Sequence, residues 1–308
     1  MSALRGQLAD YLAVRRALGH RLERSAKLLE QFVGHLEGAG TELITIADAL
    51  AWATRPESAS PGWRGRRLSA VRGFATWLHG MDARHEVPPA GLLPARTSRA
   101  TPYIYSDKEI TALMDAAAVL SVPVRVATFR TLIGLLAVSG LRIGEAIALD
   151  RSDFDPDAGV VTVRRGKFGK SREVPLHPSA VAALADYLAL RDELIPLAKD
   201  PALFISRAGT RLGYCNVNRT FHMLVRRAGL VARSGSCRPR LHDVRHTFAV
   251  RTVLGWYRRE EDVAALMPRL STYLGHVNPS TTYWYLEATP ELLAEAARRL
   301  ERLPRGAR

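Results

Sequence analysis

The segment HDVRHTFAV, from His242 to Val250, places two histidines, an aspartate and an arginine within five positions. Two chemistries fit this spacing. On a helix, His242 and His246 share one face, which comes close to the H-E-x-x-H pattern of zinc proteases. Alternatively, His242 and Arg245 lie about one turn apart and together suit a phosphate group, since a guanidinium can donate two parallel hydrogen bonds to it.

The zinc interpretation lacks necessary parts. A metalloprotease needs a glutamate base and a third metal ligand. Asp243 is one methylene shorter than glutamate, and Cys215 and Cys237 each stand alone in the sequence. His246 precedes an apolar run, which favours a packed interior side chain. We therefore expect no metal site.

The charge favours a polyanionic partner. The chain holds 44 Lys and Arg against 30 Asp and Glu, a net charge of +14 with a pI of about 10.4. Nucleic acid is the commonest partner of such a protein, although some other basic protein, such as a ribosome-associated one, also fits. Only five of the basic residues are lysines, and Lys167 and Lys170 fall in one short turn. Lysine can release a proton near neutrality and arginine cannot, so a general acid could lie there.

Composition predicts a soluble protein of two domains. The 308 residues exceed what one core usually holds. No run of 18 apolar residues predicts a membrane span, and the N-terminus lacks the apolar core of a signal peptide. Two cysteines indicate a reducing compartment. We expect a cytoplasmic, nucleoid-associated protein without membrane contact.

The first predicted domain, residues 1–85, is helical. Apolar periodicity predicts two helices within residues 3–38, and TIADALAWA and PGWRGRRLSAVRGFATWLHG predict two more. Arginines crowd the start of the last helix beside Trp63, and they form either a solvated face or a DNA-facing surface: Arg64, Arg66, Arg67 and Arg72. Residues 86–103 contain four prolines, and this composition predicts a linker over residues 86–102.

The second predicted domain, residues 103–308, is mostly helical with one small sheet. Ser106 and Glu109 form a capping box, and an apolar helix ends at Gly140. GVVTVRR and SREVPLH predict a β-hairpin joined by GKFGK. Further helices are expected at 178–195, 215–228, 241–254, 280–287 and 290–303, with a short strand at 202–206. The fold class is therefore mainly α with a small β-sheet (α+β).

These elements place several polar residues at breaks in the chain. Arg142 follows Ser-Gly at a helix start, and Glu145 lies one turn later, where it could orient a basic group or serve the helix terminus. His276 follows Leu-Gly and precedes a helix that carries Tyr283 and Tyr285. Taken singly, each of these residues also fits an ordinary surface or core position.

Four motifs in this order resemble the signature boxes of the tyrosine recombinase (phage integrase) family, most closely the integrases of mobile elements. They are SGLRIGEA, GKFGKSREVPL, LHDVRHTFAV and LGHVNPSTTYWYL. The resemblance spans roughly residues 103–290, and the N-terminal region resembles the family's core-binding domain. One departure is Gly144, where the family often has serine.

The resemblance implies a role for each matching residue. Tyr285 would attack the phosphorus and hold the 3′ end of the DNA covalently, while Tyr283 is two residues short of the family's spacing. Arg142 and Arg245 would clamp the phosphate, His242 would share the proton transfer, and His276 would hydrogen-bond the phosphate or support the site. Lys167, rather than Lys170, would protonate the leaving 5′ oxygen, and Glu145 would support the cluster. Lys170 is instead a candidate contact to DNA.

The same resemblance implies double-stranded DNA as substrate and neither ATP nor Mg²⁺ as cofactor. It also implies a homotetramer, or a mixed tetramer with a related recombinase, on two synapsed sites. The expected activity is cutting and rejoining of DNA at specific sites for a mobile element. Three alternatives stay open: a recombinase that resolves chromosome or plasmid dimers, a type IB topoisomerase-like nicking-closing enzyme, and a non-catalytic DNA-binding accessory of the same family.

Overall fold

The computed structural model describes residues 2–20, 22–55, 57–94, 100–164, 171–276, 294–295 and 298. The chain divides into two compact units, residues 1–99 and 100–308. It is mostly helical with one small sheet, which confirms the predicted fold class. No helix within the described ranges is long and apolar enough to cross a membrane.

The first unit is a small helical bundle. Its helices are α1 (Ala3–Ala17), α2 (Glu23–Gly38), α3 (Ile46–Thr54) and α4 (Pro61–His79). Side-chain caps begin three of them, because Ser2, Thr45 and Ser60 each accept a hydrogen bond from a backbone N–H of the first turn. Buried aromatic and aliphatic side chains from all four helices fill the centre, among them Tyr11, Phe32, Leu36, Trp52 and Phe74.

The first part of the predicted linker packs against this bundle. The backbone N–H of Glu86 donates to the carbonyl of Ile44 at 2.8 Å. Arg72 on α4 donates to the carbonyls of Pro88 and Pro89, at 2.7 and 2.8 Å. Residues 86–89 are therefore tied to the first unit.

The second unit surrounds a long apolar helix with other helices and a small sheet. Its helices within residues 100–276 are α5 (Asp107–Ala116), α6 (Pro123–Ser139), α7 (Ile143–Ala148), α8 (Pro178–Leu194), α9 (Tyr214–Arg227), α10 (Leu241–Arg258) and α11 (Val263–Leu274). Two short 3₁₀ helices lie at Ala117–Leu120 and Arg151–Asp153. The capping box of Ser106 and Glu109 is present at the start of α5.

The sheet contains the predicted hairpin. Strands β1 (Phe154–Asp155), β2 (Val160–Val163) and β3 (Arg172–Pro175) pair antiparallel in the order β1-β2-β3. Val161 lies opposite Val174, and both side chains are fully buried. Residues 165–170, which follow β2 and precede β3 and were predicted to form the turn, lie outside the described residues.

One expectation about this unit was wrong, and one helix was not expected. Residues 202–206 do not form a continuous strand. They make two isolated β-bridges, Asp150 with Ala202 and Ile205 with Arg211. That run is apolar because it is buried in the core, and not because it joins a sheet. Helix α11 was not predicted, and it contains Pro268. Asp262 nevertheless caps its start, and Met267 and Leu270 are buried.

Two glycines shape the region where α6, α10 and α11 end or begin near one another. Gly140 ends α6 in the left-handed conformation, with φ +60°. A Cβ at this position would lie 2.4 Å from Cδ1 of Phe248 on α10. Gly275 ends α11 in the same way, with φ +67°. Both turns therefore need glycine. The backbone carbonyls at these turns point toward the side chains of Arg142 and Arg245. The helices predicted at 280–287 and 290–303 lie almost wholly outside the described residues.

Candidate active site

Arg142 stands at the N-terminus of α7 and is held by Glu145 one turn later. The backbone N–H of Arg142 donates to Oε2 of Glu145 at 2.9 Å, and its Nη1 donates to Oε1 at 2.7 Å. Nη2 of Arg142 donates to the carbonyl of Gly275 at 3.1 Å. The Arg142 side chain is 23% exposed, so its guanidinium is fixed and still reaches solvent.

Arg245 lies on α10 and is almost entirely buried, with 2% of its surface exposed. Its Nη1 donates to the carbonyl of Gly140 at 2.7 Å, and its Nη2 donates to the carbonyl of Leu274 at 2.6 Å. Nη2 also lies 3.0 Å from Nε2 of His276. A buried charge is costly without polar partners, and these contacts provide them while fixing the guanidinium plane.

The end of α11 organises three arginines at once. The last carbonyls of a helix have no partner within the helix and carry its negative dipole end. Here the carbonyls of Tyr273, Leu274 and Gly275 accept hydrogen bonds from Arg172, Arg245 and Arg142, respectively. His276 follows directly on this turn, and its backbone N–H donates to the carbonyl of Ser271 at 2.9 Å. The LGH motif therefore binds the arginine cluster through its backbone.

Arg172, the first residue of β3, is the residue that the sequence reasoning missed. It donates through Nη1 and Nη2 to Oε1 and Oε2 of Glu145, at 3.2 and 2.9 Å. Its Nε donates to the carbonyl of Tyr273 at 2.8 Å. The available signal was its place in the motif GKFGKSREVPL, where a charged residue starts a strand that is otherwise partly buried.

Glu145 is the centre of this network, and its side chain is 7% exposed. Burial alone would raise the pKa of its carboxyl group. Hydrogen bonds from Arg172 and from the Arg142 backbone, together with the positive charge of both guanidinium groups, outweigh burial and lower the pKa to about 2. The carboxylate is therefore ionised at neutral pH and joins two cations that would otherwise repel each other.

The two predicted catalytic histidines are neutral at pH 7. Part of the His242 surface is exposed, yet the protein around its imidazole disfavours the charged form. The positive charges of Arg245 and Arg142 disfavour it further, and the pKa of His242 falls to about 4. Burial and the same two arginines lower the pKa of His276 to about 4. A neutral imidazole can accept a proton, and an arriving phosphate would counter the positive field that depresses both pKa values.

His246 packs inside the domain, as its apolar neighbours predicted. Its ring meets that of His242 edge-on, with centroids 4.7 Å apart, and burial lowers its pKa to about 3. The carboxylate of Asp243 is fully buried and accepts two hydrogen bonds from Arg240, at 2.9 and 2.7 Å. In the part of the chain that the structure describes, no three or more His, Cys, Asp and Glu side chains are grouped to hold a metal ion.

Three predicted site residues, Lys167, Lys170 and Tyr285, lie outside the described residues, as does Tyr283. The structure thus brings together Arg142, Glu145, Arg245 and His276, with His242 within their electrostatic field.

The four arginines of α4 have different environments. Arg67 is 8% exposed, stacks its guanidinium 3.7 Å above the Trp52 ring and donates to the Trp52 carbonyl at 2.8 Å. The prediction that Arg67 contacts DNA was therefore wrong, because its guanidinium is buried inside the bundle against Trp52. Arg72 is anchored to the proline carbonyls, and Arg64 donates to the carbonyl of Glu57 at 2.7 Å. Arg66 is exposed.

Taken together, the geometry provides two fixed guanidinium groups and two neutral imidazoles at one helix terminus. Guanidinium groups match the oxygens of a phosphate and stay charged at any physiological pH. Their fixed positions favour charge that develops during a reaction, since no reorganisation is needed at that moment. The site is suited to phosphoryl transfer.

Known proteins share this sequence and fold. Residues 104–291 match the Phage integrase family. The Sinorhizobium fredii protein named "Putative integrase/recombinase y4rB" is 46% identical over 98% of both chains. The "Tyrosine recombinase XerC" of Chlamydia trachomatis serovar L2 is 33% identical over 74% of this chain and 67% of its own.

Solved structures show the same fold at lower identity. The Tn1549 transposon integrase in complex with transposon right end DNA has a TM-score of 0.68 at 17% identity, covering 98% of this chain and 99% of its own. The XerH site-specific recombinase bound to palindromic difH substrate has a TM-score of 0.63 at 22% identity, covering 90% and 78%. The family match over most of the second unit, together with the near full-length relative, shows that this chain belongs to the phage integrase family of tyrosine recombinases, enzymes that break and rejoin DNA.

Proposed function

We propose that this protein is a site-specific recombinase that cuts and rejoins double-stranded DNA through a 3′-phosphotyrosine at Tyr285, in the service of a mobile element. The observation that supports this most is the convergence of three separate motifs on one helix terminus. Arg142, Arg245 and His276 come from different elements, and the carbonyls of Leu274 and Gly275 fix both guanidinium groups.

In the proposed reaction, the phenolate oxygen of Tyr285 attacks the phosphorus, and the bond from phosphorus to the 5′ oxygen breaks. Arg142 and Arg245 stabilise the negative charge on the non-bridging oxygens. His242 accepts the phenolic proton, and Lys167 gives a proton to the leaving 5′ oxygen. A 5′ hydroxyl of the partner strand then attacks the phosphotyrosine and releases Tyr285, so the phosphodiester energy is conserved.

The protonation states fit these roles. A phenol has an ordinary pKa near 10, so it needs a base and a cationic environment to become a nucleophile at neutral pH. The lowered pKa values of His242 and His276 leave both imidazoles neutral in the free protein. Loss of one electrostatic stabiliser typically slows such a reaction by about 10²–10³-fold.

We further propose that DNA is the partner and that four protomers act on two synapsed sites. The net charge of +14 supports a polyanionic partner. Among proteins of this fold is a lambda integrase tetramer bound to a Holliday junction, with a TM-score of 0.58 at 17% identity. The tetramer would contain either four copies of this chain or two copies paired with a related recombinase.

The resolution of DNA dimers is the second candidate function. The XerC relatives favour it, at 33% identity over 74% of this chain. The relative named as an integrase/recombinase is closer, at 46% over 98%, and it favours a mobile element. The two roles differ in a genetic test. A mobile-element enzyme yields an excised circle whose joined ends can be amplified, whereas loss of a resolving enzyme yields chromosome or plasmid dimers.

The biochemical test is capture of the covalent intermediate. Nicked duplexes from the DNA flanking the gene would be mixed with the protein in EDTA and separated on denaturing gels. A nick beside the cleavage point lets the short fragment with the free 5′ hydroxyl diffuse away, so the covalent intermediate accumulates. We expect a protein–DNA adduct that Tyr285→Phe abolishes and Tyr283→Phe retains. DNA binding without an adduct, on a site bound specifically, would instead support the non-catalytic accessory.

A further inference from the structure

Arg172 contacts both groups that hold Arg142 in place. The terminal nitrogens of Arg142 donate to Glu145 and to the Gly275 carbonyl. Arg172 binds both oxygens of Glu145. It also packs against Gly275, where a Cβ would lie 3.0 Å from Nη1 of Arg172. Each constraint on the Arg142 guanidinium is therefore itself constrained by Arg172.

Arg172 also connects these groups to the hairpin. It is the first residue of β3 and follows the turn that carries Lys167. Four residues lie between Lys167 and Arg172 in the sequence, so the Cα atoms of the two can be at most about 18 Å apart. The start of β3 is therefore held by the same groups that hold Arg142.

The contacts at this position match the donors of an arginine side chain. It donates from Nε to the Tyr273 carbonyl on α11 and from both terminal nitrogens to Glu145 on α7. The planar guanidinium provides these donors in a fixed arrangement, whereas lysine offers one flexible ammonium group. The side chain is only 15% exposed, so it is placed to organise groups within the protein rather than to meet solvent.

We propose that Arg172 is a positioning residue for strand cleavage, which acts through Glu145 to fix the guanidinium of Arg142 against the scissile phosphate. This inference rests on the proposed function. Arg172 itself touches no reacting atom. It sets the geometry of a group that does, and it ties the hairpin, α7 and the LGH turn into one rigid unit.

The test is single-turnover adduct formation with the full-length protein on the nicked duplexes described above. Wild type, Arg172→Met and Arg172→Lys would be compared at increasing protein concentration. A displacement of about 1 Å at a reacting group can slow a reaction by about 100-fold. We expect a loss of about that size in the limiting rate for Arg172→Met and a smaller loss for Arg172→Lys. The protein concentration that gives half the limiting rate should stay unchanged, since Arg172 does not bind DNA.

Arg191 provides a matched control for simple structural damage. It is 4% exposed, donates to the Ala202 carbonyl at 3.0 Å and pairs with Asp192 at 2.7 Å. Arg191→Lys removes the same kind of buried guanidinium from another part of the domain. A folded Arg191→Lys variant should cleave at the wild-type rate, and thermal melting of every variant identifies those that do not fold.

A double-mutant cycle tests whether Arg172 acts through Glu145. In a Glu145→Gln background, we expect Arg172→Met to slow cleavage by no more than about threefold, since its target is already lost. The same fold-loss in both backgrounds would overturn the inference. So would wild-type rates for a folded Arg172→Met, or a loss confined to the half-saturating concentration. If wild type forms no adduct on a duplex that it binds specifically, the proposed function fails and this inference fails with it.

Discussion

Glu145→Gln tests the ion-pair network in its simplest form. Glutamine has the shape of a protonated glutamic acid, so the substitution removes the charge and leaves the volume. In wild type, the carboxylate accepts hydrogen bonds from Arg142 and Arg172. The variant leaves both guanidinium groups close together without the anion between them.

The magnitude follows from the pKa. The Glu145 pKa falls from an ordinary 4.5 to about 2, which at 1.36 kcal/mol per pKa unit corresponds to about 3 kcal/mol of stability. The side chain is 7% exposed, so solvent screening takes little from this figure. Because the folded-state pKa is depressed, the stabilisation is fully present above pH 4.5. It is lost as the pH falls through 4.5 toward 2.

Urea unfolding at pH 7 and pH 3 measures this effect. We expect Glu145→Gln to unfold with about 3 kcal/mol less free energy than wild type at pH 7, and with less than half of that difference at pH 3. Glu173→Gln, an exposed residue on the same strand as Arg172, is the matched control and should unfold like wild type. An equal difference at both pH values, or none at pH 7, would refute the reasoning.

Four further substitutions separate roles elsewhere in the chain. Arg67→Ala should lower the free energy of unfolding by about 1–3 kcal/mol, because the Trp52 carbonyl loses its donor. Arg66→Ala should weaken DNA binding and leave stability unchanged. Urea unfolding and DNA titration at two salt concentrations measure both effects, and a stability loss in Arg66→Ala with weaker DNA binding in Arg67→Ala would contradict these roles. Burial holds the pKa of His246 at about 3, below an ordinary 6.5. As the pH falls from 6.5 toward 3, the unfolded chain takes up a proton that the folded protein does not, so the folded protein loses stability. His246→Gln should therefore lose less stability than wild type between pH 7 and pH 4. Gly140→Ala should lower the melting temperature by several degrees, because φ is +60° and the new Cβ would meet the Phe248 ring; calorimetry without any decrease would argue against this strain.

The sequence predicted the elements whose signals are local. Ser106 and Glu109 predicted the start of α5, Gly140 the end of α6, and β-rich runs the hairpin, because caps, turns and strands depend on neighbouring residues. Helix α11 was missed, since Pro268 argues against a helix until burial of Met267 and Leu270 is known. Burial is a property of the whole fold, so no local pattern could provide it.

The candidate site was found by motif and not by geometry. The order of the four motifs indicated Arg142, His242, Arg245 and His276, and the structure brings them together, although their catalytic roles stay predictions. Arg172 was missed although it lies in one of these motifs, because its role depends on a pairing with Glu145, 27 positions away in the chain. Arg67 failed for the opposite reason: a basic helix start predicts a charged surface, and only the packed structure shows that this arginine faces Trp52.

The measurement that tests the central claim most directly is the identity of the residue bound to DNA. The adduct formed on nicked duplexes would be digested with nuclease and trypsin, and the peptide from Leu270 to Arg298, which carries three tyrosines, would be sequenced by mass spectrometry. We expect the nucleotide on Tyr285, joined through a 3′ phosphate. Attachment to Tyr273 or Tyr283, or a 5′ linkage, would contradict the proposed chemistry.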